Sequence, residues 1–349
     1  MSEEELHYQD SIKFDYLLEA CQKCIKGEFW KASVANYYIN RVQRILRLTN
    51  ECQNKTFKLK AGRTFKVYSP KERTIRSDCF ENRIYERSFN DNVLFPKMSK
   101  SYILDNTACQ KGKGNFFALE RLKKFLWNYY CNYSISGFLL QIDIHKYYPT
   151  MNHRYVENLY RSKLNDDDLK TTLEILKNQS TEQIGFDAGN QTIQITGISN
   201  LDYLDHFIKE KLRIKYYIRH MDDMILLHEN KSYLKYCKNK IEEEIAKKEF
   251  TFNPTKTHIA PIINPFCFLG YKFKLSNTGK IYISVKKETI RRQEKHLKNL
   301  FEKRIPFEQI EQSYQSMLSH LQYGNSFKAV QYFKRYYRNL IKEFKHEQN

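Results

Sequence analysis

Two adjacent acids, Asp222 and Asp223, stand between two apolar, β-prone runs, Tyr216-Tyr217-Ile218 and Met224-Ile225-Leu226-Leu227. The pattern predicts a hairpin carrying carboxylates at its tip. Strands disfavour aspartate and like charges repel, so an acidic pair at a strand turn costs stability unless something positive sits beside it. A divalent cation answers that need, because hard cations take carboxylate oxygens. The remaining chain is organised around this hairpin.

A second strand signal, Gly137 to Ile142, runs straight into Asp143, followed by Tyr147, Tyr148 and Pro149, where the chain must turn. Alone, an acid ending a buried strand reads as a helix cap. Together with Asp222 and Asp223 it supplies the converging carboxylates that two-metal catalysis requires. Asp166-Asp167-Asp168 is different: it precedes the helix Leu169–Gln179, whose dipole and free amides it complements.

Charge narrows the partner. The 349 residues carry 59 Lys+Arg against 40 Asp+Glu, a formal net charge of +19, and 15% are aromatic. Such a chain attracts polyanions and has rings for stacking, which points to nucleic acid rather than a membrane surface. No apolar run approaches the roughly 18 residues that span a bilayer. The eight cysteines are scattered apart from Cys21 and Cys24, which lack a second Cys or His pair at zinc-site distance. They are expected to be free thiols in a reducing cytoplasm.

In chain order, apolar spacing predicts two basic-faced helices between Asp10 and Leu48, then a strand, a Pro70 turn and a second strand that gather Lys71, Arg73 and Arg76 on a hairpin. Helix follows from Phe80 to Phe95 and from Phe116 to Tyr130. Between those two helices, Gln110-Lys111-Gly112-Lys113-Gly114 reads as a phosphate-contacting loop that lacks the ending of a P-loop. Gly185 to Gln194 reads as a loop, Ile195 to Leu212 as a helix, Lys231 to Phe250 as a charged helix ending in a strand at Phe250-Thr251-Phe252. Phe266 to Phe273 and Lys280 to Ile283 read as strands, and the chain after Ser284 as basic helices.

Taken together these stretches resemble the reverse transcriptases, particularly the compact bacterial branch that includes diversity-generating retroelement, retron-like and phage-defence enzymes. His220-Met221-Asp222-Asp223 is close to the family's Tyr-x-Asp-Asp box, and Asp143 with Tyr148 five residues on matches its first catalytic motif. Gly189-Asn190-Gln191-Thr192-Ile193-Gln194 is similar to its Gly-Asn-x-Thr-Ser-Gln loop beside the template. Lys71 and Arg73 match its basic fingers motif, Lys256 a lysine near the leaving pyrophosphate, Phe268-Leu269-Gly270 the primer grip, and His320 to Asn325 a thumb motif.

The resemblance implies an α+β right-hand polymerase: N-terminal helices and fingers over 1–135, an antiparallel-sheet palm over 136–283, and a small helical thumb over 284–349. It implies RNA-directed DNA synthesis by two-metal phosphoryl transfer, with Mg²⁺ or Mn²⁺ held by Asp143, Asp222, Asp223 and the Ile144 carbonyl. Lys71, Arg73, Tyr148, Gly189, Asn190, Gln191, Gln194 and Lys256 would contact substrates, Tyr148 selecting deoxynucleotides. Expected partners are an RNA template, a DNA or RNA primer, dNTPs, and a cognate non-coding RNA or accessory protein, without a membrane. The chain departs from the family at His220, at Asp187 in the usual Pro position, and at Ile193 for a small Ser. The last two are expected to alter the stiffness of the template loop and the space beside the template, which defines the alternative: a non-catalytic or template-independent nucleic-acid-binding protein on the same fold.

Overall fold

A computed structural model describes residues 5–68, 72–180, 182–187, 189–324 and 326–346. Four helices open it: α1 (Tyr8–Ser11), α2 (Phe14–Ile25), α3 (Ala32–Ile39) and α4 (Arg41–Gln53). The predicted two-helix region is thus divided, at the left-handed Gly27 (φ 80°) and at Asn40. The antiparallel hairpin β1 (Arg63–Val67) and β2 (Arg73–Ser77) forms as expected, pairing Val67 with Arg73. Helix α5 (Phe80–Phe89) passes through one wider π-type turn into α6 (Phe95–Ser99), and α7 (Asn115–Tyr133) leads into the main sheet.

That sheet contains β3 (Phe138–Ile142), β4 (Tyr216–His220), β5 (Asp223–His228) and β6 (His258–Pro261), in the order β4-β5-β3-β6 and antiparallel throughout. Between β3 and β4 lie α8 (His153–Arg161), α9 (Asp166–Gln179), α10 (Gln191–Asn200) and α11 (Asp202–His206); α12 (Lys231–Ala246) follows β5. Strand β6 escaped prediction. It is four residues long, ends in Pro261 and lies at the sheet edge, where proline is tolerated and hydrophobic patterning is weak. The strand expected at Phe250-Thr251-Phe252 reduces to a single bridge between Phe252 and Ile144.

Two apolar cores form on opposite faces of this sheet because side chains alternate along each strand. Leu140, Ile142, Tyr217, Met224 and Leu226 pack with α2, α4, α5, α10 and α12. Their neighbours Leu139, Tyr216, Ile218, Ile225 and Leu227 pack with α7 and the chain from Ile262 onward. Burial on both faces explains why β4 and β5 read as continuous apolar runs.

The single strand predicted over Phe266 to Phe273 is instead a hairpin, β7 (Phe266–Phe268) and β8 (Tyr271–Leu275), with β9 (Ile281–Val285) completing a three-stranded sheet. Leu269 (φ 48°) and Gly270 (φ 86°) take the left-handed conformations of a tight two-residue turn. Glycine signals one of them; leucine hides the other. Helices α13 (Lys287–Glu302), α14 (Phe307–Tyr323) and α15 (Phe327–His346) close the chain. No helix among the described residues is long and apolar enough to cross a membrane. All eight cysteines are free, and burial pushes the Cys21 and Cys24 thiols up to about 11.

Candidate active site

The β4–β5 hairpin turns in two residues, Met221 and Asp222, closed by the His220–Asp223 pair. Met221 is left-handed (φ 58°), a position where such turns ordinarily use glycine. Arg219, fully buried, holds it there: its Nη1 donates to the Met221 carbonyl (2.9 Å), while Nε and Nη2 grip the equally buried Asp205 (2.7 and 2.6 Å) and Nη2 also reaches the Ile198 carbonyl (3.1 Å). The Tyr217 hydroxyl donates to Asp205 as well (2.6 Å). From the other side the Tyr148 hydroxyl donates to the Met221 sulfur (3.2 Å). His220 packs inward with its Nδ1 on the Thr107 hydroxyl (3.0 Å); burial and the Arg219 charge lower it to about 4, so its imidazole is neutral near pH 7.

Asp143 arrives beside this turn because β3 and β5 are neighbours, with Ile142 opposite Met224. Its carboxylate is bonded by the Lys256 ammonium on Oδ1 and by Asn253 Nδ2 on Oδ2 (2.9 Å). Its backbone is pinned too: Asn253 N donates to its carbonyl (2.8 Å), and its own amide donates to the Thr257 hydroxyl (3.2 Å). Ile144 is buried and bridges Phe252 through bonds that use the Asp143 and Thr251 carbonyls, so its own carbonyl stays outside that ladder.

Electrostatics tie the three acids into one site. Burial, then Asp143, raises Asp222 above the usual carboxylate range. Burial together with Asp222 and Asp143 raises Asp223 to about 7. Lys256 is raised by its contact with Asp143, against the burial that lowers it. Among the described residues no group of three His, Cys, Asp or Glu side chains is arranged to hold a metal ion. Asp143, Asp222 and Asp223 are nevertheless hard oxygen donors by type, and their mutual repulsion is of the kind a divalent cation would relieve.

The other expected residues form a second group. Lys71 lies outside the described residues. Arg73 is exposed at the start of β2, whereas Arg76, further along, faces a cleft of about 560 Å³ together with Phe65, Gly189, Asn190, Gln191 and Gln194. Gly189 (φ 135°) rests against β2 so closely that a Cβ would lie 2.4 Å from the Arg76 carbonyl. Asn190 is buried and caps α10 through Thr192 N (2.6 Å), while its amide serves Asp78 (3.1 Å) and Glu86. Gln191 donates to Asp91 (2.9 Å), and Gln194 is exposed.

Helix α10 therefore begins four residues earlier than the sequence indicates, and Ile193 is 1% exposed within the first core rather than beside the cleft. Asparagine capping, invisible to apolar periodicity, moves that boundary. Lys113 also has a structural use: its ammonium donates to the carbonyls of Leu104 (3.0 Å) and Asn106 (2.9 Å).

Helix α10 connects the cleft to the acids. Two turns beyond Asn190, Gly197 leaves room for Tyr148, whose hydroxyl would lie 2.5 Å from a Cβ there, and its carbonyl accepts from Tyr147 (2.7 Å). Gly197, Arg219, Asp205 and Asn253 were not anticipated. An arginine inside the apolar run Tyr216 to Leu227 is the one sequence signal that could have exposed the buried pair.

Three-dimensional likeness identifies the architecture. The chain superposes on telomerase from Candida albicans, solved with a fragment of telomeric RNA, with a TM-score of 0.51 and 14% identity over 82% of this chain and 55% of that one. The fold is reverse-transcriptase-like. Telomerase from Candida tropicalis aligns at a TM-score of 0.48 and 13% identity, over 82% of this chain and 58% of that one. The chain thus spans a little over half the length of the telomerases it matches. No protein-family model and no curated protein matches it. The reverse-transcriptase-like fold is shared with telomerases; the bacterial branch rests on the motifs alone.

Proposed function

We propose that this protein is an RNA-directed DNA polymerase in which the four-stranded sheet is the palm, the β1–β2 hairpin with the preceding helices the fingers, and α13 to α15 the thumb. The observation that carries the reading is the meeting of Asp143 with Asp222 and Asp223 at one end of adjacent strands, from opposite sides of a 79-residue separation (222 − 143).

In this reading Asp143 and Asp222 hold Mg²⁺ or Mn²⁺, with Asp223 contributing charge. Cations held there would lower the pKa of a primer 3′-hydroxyl and offset charge on the leaving pyrophosphate. Lys256, about half exposed and resting on Asp143, would release that carboxylate and protonate the leaving group. Tyr148, wedged between Gly197 and Met221, forms a wall for the nucleotide sugar. Arg76 and Phe65 border the cleft that would receive the template. An RNA partner is supported by the net charge and by the RNA-bound telomerase neighbour. The Gly189-to-Gln194 motif supports the compact bacterial branch, and with it a cognate RNA or accessory protein.

The test is primer extension on a primed RNA template with dNTPs and Mg²⁺ or Mn²⁺. The parent should extend and Asp222→Ala should fall to background. Extension by that variant would overturn the metal assignment. A parent that binds RNA with strong salt dependence yet adds no nucleotide would establish the non-catalytic alternative.

A further inference from the structure

We infer that the chain carries a second surface for single-stranded nucleic acid, on the outer face of the three-stranded sheet and the adjoining end of α7. Strand β8 alternates cleanly: Tyr271, Phe273 and Leu275 face the core, Lys272 and Lys274 face solvent. Lys274 pairs directly with Tyr282 on the edge strand β9, and the Lys280 ammonium lies over the Tyr282 ring, 5.2 Å from its centre. Around that edge stands Trp127, 51% exposed and stacked on Tyr130 (6.1 Å, 25°).

The platform is pre-ordered. The Tyr130 hydroxyl donates to the Asn277 carbonyl (3.1 Å) in the β8–β9 turn, and left-handed Gly279 (φ 78°) admits the Tyr130 ring where a Cβ would lie 2.4 Å from it. Clefts of about 370 and 620 Å³ lie on either side, the first lined by Lys124, Trp127 and Lys280, the second by Lys274 and Tyr282. Among the described residues no carboxylate pairs with Lys124, Lys272, Lys274 or Lys280. Four uncompensated ammonium groups interleaved with two exposed rings match a polyanion that also offers flat bases; an apolar protein strand would leave the lysines unanswered.

At its α7 end this surface lies away from the carboxylates, whereas Lys272 is nearer to them: its partner Cys267 accepts from Gln141 (2.9 Å). Helix α7 meets the main sheet at Gly137, against the Tyr129 hydroxyl, whereas Asp143 follows the opposite end of β3. Five strand residues separate those ends by about 16 Å. The side chains tested below, Lys274, Lys280 and Tyr282, belong to the edge by α7 and take no part in the proposed polymerase site.

Trp30 and Trp127 are the two tryptophans, so in a Trp30→Phe protein emission reports Trp127 alone. Titration of that full-length protein with a 12-nucleotide single-stranded RNA should give saturable quenching. In the same background, Lys274→Ala/Lys280→Ala/Tyr282→Ala should weaken the quenching titration about tenfold, from the loss of one stacked ring, and lower its salt slope by about 1.4, from two lost phosphate contacts. All three side chains are exposed, and an unchanged thermal melt would show that the triple variant folds. RNA binding detected by anisotropy without any change in Trp127 emission overturns the proposal. So does a quenching titration that the triple variant leaves unaltered, or binding of a protein strand to β9 that RNA cannot displace.

Discussion

Replacing Arg219 with methionine removes the guanidinium that joins the hairpin tip to the core. Four donated bonds disappear, two of them to Asp205, and among the described residues the Asp205 carboxylate, at 0% exposure, keeps only the Tyr217 hydroxyl. Breaking one side of a buried pair costs about 3–5 kcal/mol, and with two carbonyls also losing a donor the upper end applies, about 5 kcal/mol. That is a large part of the 5–15 kcal/mol typical of a folded domain. Urea unfolding followed by circular dichroism reads the loss. The control is the triple variant Tyr217→Phe/Asp205→Leu/Arg219→Met, which removes the orphaned charge and its last partner together, and should return to within about 2 kcal/mol of the parent. Primer extension should stay impaired in both variants, since neither restores the bond to the Met221 carbonyl. A loss below about 1 kcal/mol in Arg219→Met, or a triple variant as unstable as the single one, would show that the buried guanidinium does not hold the hairpin tip.

Other expectations follow from close contacts and from one buried amine. Gly197→Ala should destabilise by about 1–2 kcal/mol, overpacking against the wedged Tyr148 ring outweighing the helix gain. The same change should raise KM for dNTPs in primer extension, and an unchanged KM would show that Tyr148 does not border the nucleotide. Gly189→Ala meets backbone instead, so it should destabilise by about 1–3 kcal/mol in urea and loosen the β1–β2 hairpin. Lys248, donating to Asn200 (2.9 and 3.1 Å), is lowered by burial from 10.5 to about 8. Its charged form is therefore disfavoured in the fold: the destabilisation is fully present below pH 8 and is relieved as pH rises to 10.5. The relief amounts to about 3 kcal/mol. Lys248→Met should flatten that rise in a pH series of unfolding midpoints; a parent and variant with parallel curves would contradict it.

Much of the site could be read from the chain because its parts are local. Asp222 and Asp223 sit between two apolar strands, Asp143 ends a third, and both signals need only a period of two and one misplaced charge. The β1–β2 hairpin was equally legible from its flanking pattern. The four residues of β6 were not, since an edge strand ending in proline has little pattern to show. Nor was the start of α10, because the Asn190 cap is defined by its bonds to Thr192 N, Asp78 and Glu86, partners distant in sequence or carried by the backbone.

Local pattern alone puts acids at strand ends in a strongly basic chain. How those acids are held emerges with the packed fold: Lys256 and Asn253 on Asp143, Arg219 beneath the Met221 turn, and Gly197 beneath Tyr148. The division has a physical cause. Strand formation depends on side-chain alternation within a few residues, whereas the geometry of a buried charge depends on whichever partners the whole fold brings within about 3 Å.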